Sequence, residues 1–324
     1  MPASRTLLCL LAALLPPLLP LQAAAQSYPS RPVRVLVGYP AGGANDIVAR
    51  AFSARLAEAL KQPFVVENRS GAAGTIAAEA GAKAAPDGYT LFSISSAQVL
   101  APHVRKAVTY DPVKDFRPVG LAASSAYFLA VHPSVPAKNV AELVALAKAK
   151  PGGMSYASSG AGAGPHLTSS LFLAVAGIDI THVPYRGDAD ALVDLLAGRV
   201  QTGFMSIAPT MPHLNSGALR ALAISSIERL PGMPNVPTVA ESGYPGFDMG
   251  AWWGLVAPAG TPDAVVKVLV DAFRPILDSK AFAEQFAAQG IVAGKLTGDA
   301  FGKKIADDYV RLGDVVKRAG IKPE

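Results

Sequence analysis

The sequence predicts an α/β fold in which two lobes enclose a cleft. Short β-branched segments alternate with apolar stripes at helical spacing, which is the pattern of parallel βαβ units. At 324 residues the chain is longer than a single hydrophobic core usually supports, so two domains are expected. We expect the chain to cross between the lobes near Ser124 and again between Ser226 and Gly250. The predicted domains are residues 26–124 together with 250–324, and residues 125–249.

Three strands are predicted in the first lobe, and small or polar residues follow each of them. The strand at 32–37 leads into a glycine-rich loop, Tyr39 to Asp46, and then into a helix with an apolar stripe from Ile47 to Leu60. Asn45 and Asp46 are residue types that commonly cap the start of a helix. Two further strands and one helix are predicted, at 64–66, 89–94 and 72–84.

A second series of strands and helices begins near Tyr127, and a helical tail follows it. The predicted strands cover 127–131, 154–157, 180–183, 200–205 and 219–224, and the helices cover 140–149, 166–176 and a segment ending at 196. A strand at 252–257 returns to the first lobe, and helices at 263–277, 280–288 and 299–319 close the chain. Ligands bind beyond the carboxyl ends of strands in open α/β sheets, so the cleft is expected where those ends meet.

The first 25 residues are predicted to be a secretory signal peptide. Arg5 is followed by a Leu-rich core at 7–21, and Ala23-Ala24-Ala25 matches the small-residue cleavage pattern. Three prolines and the shortness of the core disfavour a membrane-spanning helix. Cleavage would deliver the mature protein to the periplasm. It would also remove Cys9, the only cysteine, which excludes disulfides and thiolate chemistry from the mature chain.

Composition and spacing disfavour several other classes of protein. The formal net charge is +5, or +4 once Arg5 is removed, and no basic run indicates binding to nucleic acid. The five histidines lack the spacing of metal ligands. Gly160-Ala161-Gly162-Ala163-Gly164 resembles a dinucleotide fingerprint, but Pro165 occupies the position of its third glycine. No metal or organic cofactor is predicted.

Five predicted strands end in loops that can bind an anion through backbone groups. A glycine-rich loop before a helix presents unpaired N–H groups at the positive end of the helix dipole. For any one loop taken alone, the pattern slightly favours an ordinary turn. Together they favour one shared cleft, and they contain Gly42-Gly43, Ser70-Gly71, Ser95-Ser96, Ser158-Ser159-Gly160 and Tyr185-Arg186-Gly187.

A few side chains near these loops allow two interpretations. His166 follows a predicted helix start and either contacts a ligand or has a structural role. Asp190 and Asp194 are interpreted as acidic residues that favour the start of a helix, whereas the role of Asp188 stays open. Trp252 and Trp253 are expected to divide between the core and the interface, with one of them possible in the cleft lining.

The motifs, taken in order, resemble those of the Bug-type solute receptors, the extracytoplasmic binding proteins of tripartite tricarboxylate transporters. The resemblance covers essentially the whole mature chain. It is carried by Tyr39-Pro40-Ala41-Gly42-Gly43 with Asp46, by His182-Val183-Pro184-Tyr185-Arg186-Gly187, and by segments 28–34, 67–69 with Gly71 and Gly74, 86–91, 159–160 with Gly162, 237–241, 253–255 and 257–262.

The resemblance implies a type II-like periplasmic binding protein whose two lobes close on a small carboxylate. The implied partners are this ligand and the membrane subunits of a transporter, and the receptor is expected to be a monomer without enzymatic activity. The loop at 39–43 would hold one carboxylate through backbone groups and water. The predicted ligand-binding residues are Tyr39, Ala41, Gly42, Gly43, Asp46, Ser70, Ser95, Ser96, Ser159, Gly160, His166, Tyr185, Gly187 and Met205.

Met205 marks a departure from the family pattern. Many relatives carry aspartates where this chain has Gln201 and Met205. If the aspartate that matches Met205 normally meets an amino or hydroxyl group, this chain is expected to prefer a ligand that lacks one.

Two alternative functions compete with transport. The first is a receptor that reports its ligand to a signalling partner. The second is an exported hydrolase or isomerase that uses the same cleft, which would require His166 or Asp188 to pair with a serine there.

Overall fold

The computed structural model describes residues 28–230, 232–287, 290–318 and 320. The predicted signal peptide, including Cys9, lies outside these residues. The strands are β1 Val33–Val37, β2 Phe64–Asn68, β3 Thr90–Ser95, β4 Phe116–Val131, β5 Ser155–Ser158, β6 Thr181–Pro184, β7 Thr202–Ser206, β8 Arg220–Ile224, β9 Gly250–Pro258 and β10 Ile291–Ala293. The α-helices are α1 Ala44–Leu60, α2 Thr75–Ala82, α3 Ser96–Val104, α4 Val140–Ala149, α5 Gly164–Ala176, α6 Asp188–Leu196, α7 Ile207–Asn215, α8 Asp263–Leu277, α9 Lys280–Ala287 and α10 Gly298–Arg318.

The strands form two parallel sets that are joined by antiparallel strands. The order of the sheet is β2-β1-β3-β9-β4-β7-β5-β6, and β8 and β10 also pair with β4. In the first set, Val35 of β1 lies between Val66 of β2 and Leu91 of β3. In the second set, β5 is parallel to both β6 and β7. Parallel strands require crossover connections, and helices supply them here.

The long strand β4 belongs to both halves of the sheet. Its residues 116–126 pair with β9, whereas Tyr127 to Val131 pair with β7 and β8. The change of partners therefore falls two residues after the crossing predicted near Ser124. Ser225 holds this junction together, because its hydroxyl accepts the Tyr127 N–H at 2.9 Å and donates to the Met249 carbonyl.

Apolar residues cover both faces of the sheet. On one face of the first half, Phe52 of α1 contacts Phe273 of α8 with ring centroids 5.6 Å apart. In the second half, Phe172 of α5 packs edge-on against Phe204 of β7. Among the described residues, no helix combines the length and the apolar character needed to cross a membrane.

Most predicted elements are present, and α4 and α8 have the predicted bounds. The helix predicted at 72–84 is instead a short 3-10 helix, Ala72–Gly74, followed by α2. The left-handed backbone of Ala73 (φ 55°) and Gly74 (φ 88°) interrupts it. The prediction missed α3, α7, β10 and the first eleven residues of β4, and both missed helices contain an internal proline, Pro102 and Pro212.

Asp308 anchors the last helix to the sheet. Its carboxylate accepts the indole N–H of buried Trp252 at 2.7 Å and also pairs with Lys304 and Arg311.

We expect Asp308→Ala to lower the free energy of unfolding by about 1–3 kcal/mol, because the indole N–H would lose its acceptor. Urea denaturation measures this loss. Asp307→Ala is the matched control, since Asp307 is exposed and pairs with exposed Lys303, and equal losses would contradict the role of Asp308.

Candidate ligand-binding site

Each parallel strand is followed along the chain by a helix, and six α-helices and one 3-10 helix lie in these positions. In the first set, α1 follows β1, the 3-10 helix and α2 follow β2, and α3 follows β3; in the second set, α5, α6 and α7 follow β5, β6 and β7. The amino end of each helix carries a partial positive charge and unpaired N–H groups. Both sets therefore present donors at the edge where an α/β sheet binds its ligand.

Tyr127 marks the place where the two edges meet. Burial raises the pKa of the Tyr127 hydroxyl, and the nearby Asp188 carboxylate and Tyr39 raise it further. A Cβ added to Gly164, the first residue of α5, would lie only 2.1 Å from this hydroxyl. Residues from the β1 loop, from α5 and from α6 thus converge on one tyrosine. The sequence prediction missed Tyr127, and its only signal was its place just after the predicted crossing.

A buried carboxylate shapes the loop after β1. Asp46 accepts the Gly42 N–H at 2.9 Å, the Asn68 amide at 2.8 Å and the Arg50 guanidinium at 2.9 Å. Burial opposes the charged form of Asp46, but the hydrogen bonds from Arg50, Gly42 and Asn68 outweigh it and lower the pKa to about 2. The Asp46 carboxylate is thus occupied by protein groups, which makes Asp46 a positioning residue for the loop.

The start of α1 differs from the prediction. The N-cap is Gly43, so Asn45 and Asp46 lie within the first helical turn instead of capping it. Asn45 is buried, and its side-chain oxygen accepts a hydrogen bond from Ser93 of β3 at 2.9 Å. The side chains of the first turn therefore hold the loop against the sheet, while the backbone N–H groups remain at its amino end.

Gln98 connects the three loops of the first set. Its side-chain oxygen accepts the backbone N–H and the hydroxyl of Ser95 at 2.9 and 2.7 Å. Its amide nitrogen donates to the Ala73 carbonyl at 3.0 Å and to the Tyr39 hydroxyl at 3.3 Å. The Tyr39 hydroxyl itself donates to Ala73, and burial raises its pKa. The prediction missed Gln98, although Ser95-Ser96-Ala97-Gln98 is a capping-box pattern.

Two stacked imidazoles support the loop after β5. The rings of His166 and His182 lie 4.2 Å apart, and Tyr156 stacks on the other side of His182 at 4.8 Å. His166 Nδ1 accepts the Gly162 N–H at 3.0 Å, and His182 Nε2 lies 2.7 Å from the Ser158 hydroxyl. Burial lowers the pKa of both rings, and for His182 burial and the neighbouring His166 lower it to about 4. The structure therefore gives His166 a supporting role in this loop.

Asp188 begins α6 and has one engaged and one unengaged oxygen. Its Oδ2 accepts from the Ser206 hydroxyl at 2.5 Å, whereas its Oδ1 is buried without a donor among the described residues. The Tyr185 hydroxyl points to a different partner, Asp194, at 2.8 Å. Asp194 lies near the end of α6 and also pairs with Arg199, so its expected role at the helix start was wrong.

The other predicted site residues differ in their exposure to solvent. Ala41 and Ser70 are exposed, and Ser159, Gly160 and Gly187 are half-buried. The Ser96 hydroxyl accepts the backbone N–H of Trp252 at 3.4 Å. Trp252 and Trp253 are both buried, which differs from the expected division between core and interface.

Met205 lies in the hydrophobic core. Its side chain is 0 % exposed and belongs to a cluster with Phe128, Leu192 and Ile207. Its strand neighbour Ser206, and not Met205, reaches the Asp188 carboxylate. This placement removes the basis for a direct contact between Met205 and a ligand.

Comparison with known proteins assigns the family. Residues 48–321 match the sequence model described as the tripartite tricarboxylate transporter family receptor. The chain belongs to this receptor family. It is similar to Protein BugT of Bordetella pertussis, with 38 % identity over 92 % of each chain.

Solved structures of family receptors share the fold. Rpa4515 of R. palustris with adipate is 34 % identical, has a TM-score of 0.77, and is matched over 92 % of this chain and 100 % of its own. MatC (Rpa3494) of Rhodopseudomonas palustris with bound malate is 33 % identical, with a TM-score of 0.73 and coverage of 89 % and 100 %. These likenesses confirm the predicted family and the two-lobed α/β fold of a periplasmic binding protein.

The hydrogen bonds to Asp46 predict a dependence of stability on pH. The Asp46 pKa is about 2 in the folded state and about 3.9 in an unfolded chain, so its contribution is present above pH 4 and is lost as the pH falls towards 2. We expect Asp46→Ala to lower the free energy of unfolding at pH 7 by about 2 kcal/mol, with a smaller difference below pH 4. Urea denaturation across this range tests it. Asp271→Ala, which removes an exposed carboxylate paired with Lys267, should have little effect.

The imidazole stack predicts a second pH effect. Because the folded-state pKa of His182 lies near 4, below its ordinary value near 6.5, folding favours the neutral ring. Stability should therefore be fully present above pH 6.5 and fall as the pH drops from 6.5 to 4. His182→Gln should flatten this slope in urea denaturation between pH 4.5 and 7.5. An unchanged slope in the variant would contradict this effect.

Proposed function

We propose that this chain is a periplasmic receptor that captures a small organic acid and delivers it to the membrane subunits of a tripartite tricarboxylate transporter. The observation that carries the proposal is that Tyr39 of the β1 loop and the starts of α5 and α6 all lie near Tyr127. Backbone donors and helix dipoles can bind a carboxylate without a cationic side chain. The relatives Rpa4515 and MatC, whose structures contain adipate and malate, support a carboxylate ligand.

The proposed mechanism is closure of the lobes around the ligand. Residues 26–124 with 250–324 would form one lobe and residues 125–249 the other, with the signal peptide removed after Ala25. The strands β4 and β9 and the segment after β8 connect the halves, so bending is expected there. A monomer suffices for this mechanism, because both edges of the cleft come from one chain.

Two contacts bear on the enzymatic alternative. Asp188 does pair with a serine, as that alternative requires, but the Ser206 hydroxyl donates to a carboxylate, and within the described part of the chain no imidazole is hydrogen-bonded to either residue. The pair of Ser158 and His182 contains an imidazole, yet its pKa near 4 makes His182 a weak base at neutral pH. Both contacts stabilise loops, and we therefore favour binding without catalysis.

Ligand titration tests the proposed function directly. Isothermal calorimetry with adipate, malate and succinate should show saturable binding of at least one acid, and the same acid should raise the melting temperature. An absence of binding and of any thermal shift with these acids would contradict the proposal. Release of product from the bound acid would instead support the enzymatic alternative.

Removing one backbone donor tests the role of the β1 loop. Ala44 is the first residue of α1, a position that accepts proline without loss of helix, so Ala44→Pro removes only its N–H. We expect a loss of carboxylate affinity of about tenfold or more, with the melting temperature of the free protein little changed. Lys280→Pro makes the same change at the first residue of α9, where Lys280 is exposed, and should leave affinity unchanged. Equal affinity in both variants would exclude the α1 start as an anchor.

A further inference from the structure

A groove lies between α5 and α10, away from the ligand-binding edges. Its volume is about 720 Å³, and the segment 243–248 forms its third side. Val175 lines the groove from α5. The rise of a helix places Val175 about 16 Å along α5 from Gly164, the residue beside Tyr127. Among the described residues, those predicted to bind the ligand are absent from this lining, so the groove is separate from the cleft.

Apolar side chains are exposed in this α5–α10 groove. Val310 of α10 is 65 % exposed and Val175 is 42 % exposed. Leu171, Phe247 and Val315 belong to the same lining and are buried. Single exposed valines are common on proteins, but two that share one concave surface favour an interaction site. The groove can therefore receive an apolar side chain.

Carboxylates flank the exposed valine of α10. Asp307 precedes Val310 by three residues and Asp314 follows it by four, which places all three on one face of the helix. Asp314 is exposed and forms no ion pair with any other described residue. Asp307 pairs with exposed Lys303, and exposed ion pairs are weak. Both carboxylates are therefore available to a cation from outside the chain.

The basic residues of the lining do not cancel these carboxylates. Arg311 pairs with Asp308 at 2.8 Å and donates to the carbonyl of Asp248, so its charge is already compensated. Arg318 is the last residue of α10 and lies one helical turn beyond Asp314, at one end of the groove. The side chain of Asp248 adds a further carboxylate to the lining. The groove therefore favours an occupant with positive charge.

This charge pattern disfavours a second copy of the chain as the occupant. Two copies of α10 that pack through Val310 would place Asp307 and Asp314 of one copy opposite the same pair of residues in the other. This holds for parallel and for antiparallel packing, because the two carboxylates lie at nearly equal spacing on either side of the valine. Like charges in direct opposition are destabilising.

The walls of the groove come from both proposed lobes. Helix α5 belongs to residues 125–249 and α10 to residues 250–324, while the segment 243–248 lies on the crossing between the lobes. The bond from Arg311 to the Asp248 carbonyl joins this crossing to α10. A movement of one lobe against the other would change the shape of the groove. A partner seated there would therefore bind the open and the closed receptor with different affinities.

We propose that the α5–α10 groove is a docking surface for a membrane subunit of the transporter. The subunit would insert an apolar side chain between Val175 and Val310, and lysine or arginine residues beside it would pair with Asp307 and Asp314. This inference rests on the proposed function as a transport receptor. It gives the subunit a surface that reports closure of the lobes without contact with the bound acid.

Receptor-dependent uptake tests the docking surface. Proteoliposomes containing the membrane subunits are supplied with receptor and with adipate or malate, whichever acid binds in calorimetry. We expect Val310→Lys and Asp314→Lys each to lower uptake about tenfold or more, with the affinity for the acid unchanged. Val193→Lys on α6 and Asp271→Lys on α8 are matched controls, because both residues are exposed and lie outside the groove lining.

Direct binding of the receptor to the membrane subunits in nanodiscs provides a second measurement. Raising NaCl from about 50 to about 300 mM should weaken this binding, because salt screens the charge pairs, and Asp314→Lys should reduce the dependence on salt. Normal uptake by both groove variants, or equal losses in the controls, would overturn the docking surface and leave the carboxylate receptor standing. No binding of any acid by the unaltered chain would contradict the proposed function instead. A dimer in sedimentation velocity that Val310→Lys dissociates would assign the groove to a second copy and also overturn the proposal.

Discussion

The structure depends on one strand that two half-sheets share. The first part of β4 pairs with β9, and its last five residues pair with β7 and β8. Ser225 bonds to Tyr127 on this strand and to Met249 just before β9, so one hydroxyl joins three parts of the chain. This junction sets the position of one half relative to the other, and Tyr127 lies in it. The pairing of β4 with β9, β7 and β8 therefore determines where the carboxyl ends of the two sets of parallel strands meet.

An anion site built on backbone donors needs rigid loops instead of cationic side chains. Asp46 and Gln98 supply this rigidity in the first half, because each bonds to groups from more than one loop. The stacked rings of His166 and His182 have the same effect in the second half. These side chains lie in or beside the loops that follow the strands, and they make hydrogen bonds within the protein. Their contribution to binding is the orientation of N–H groups, which costs little reorganisation when an acid arrives.

Local patterns in the sequence were enough to predict much of this protein. Hydrophobic periodicity predicted the alternation of strands and helices, and the bounds of α4 and α8 were correct because capping and stop signals lie next to them in the chain. The glycine and serine loops after the strands were also visible locally. Side-chain partners were not, because Asp46 meets Asn68, and Ser206 meets Asp188, across distances of many residues.

The sequence by itself determined the fold class, the family and the segments that can form the cleft. Only the tertiary structure decided which side chains those segments turn towards the protein and which they leave unpaired. Met205 and Asp188 show the difference, since β7 is buried on both faces and encloses Met205, whereas Asp188 lies at the start of a helix near Tyr127. The physical reason is that hydrogen bonding and burial depend on neighbours brought together by folding, whereas propensity and periodicity depend on neighbours in the chain.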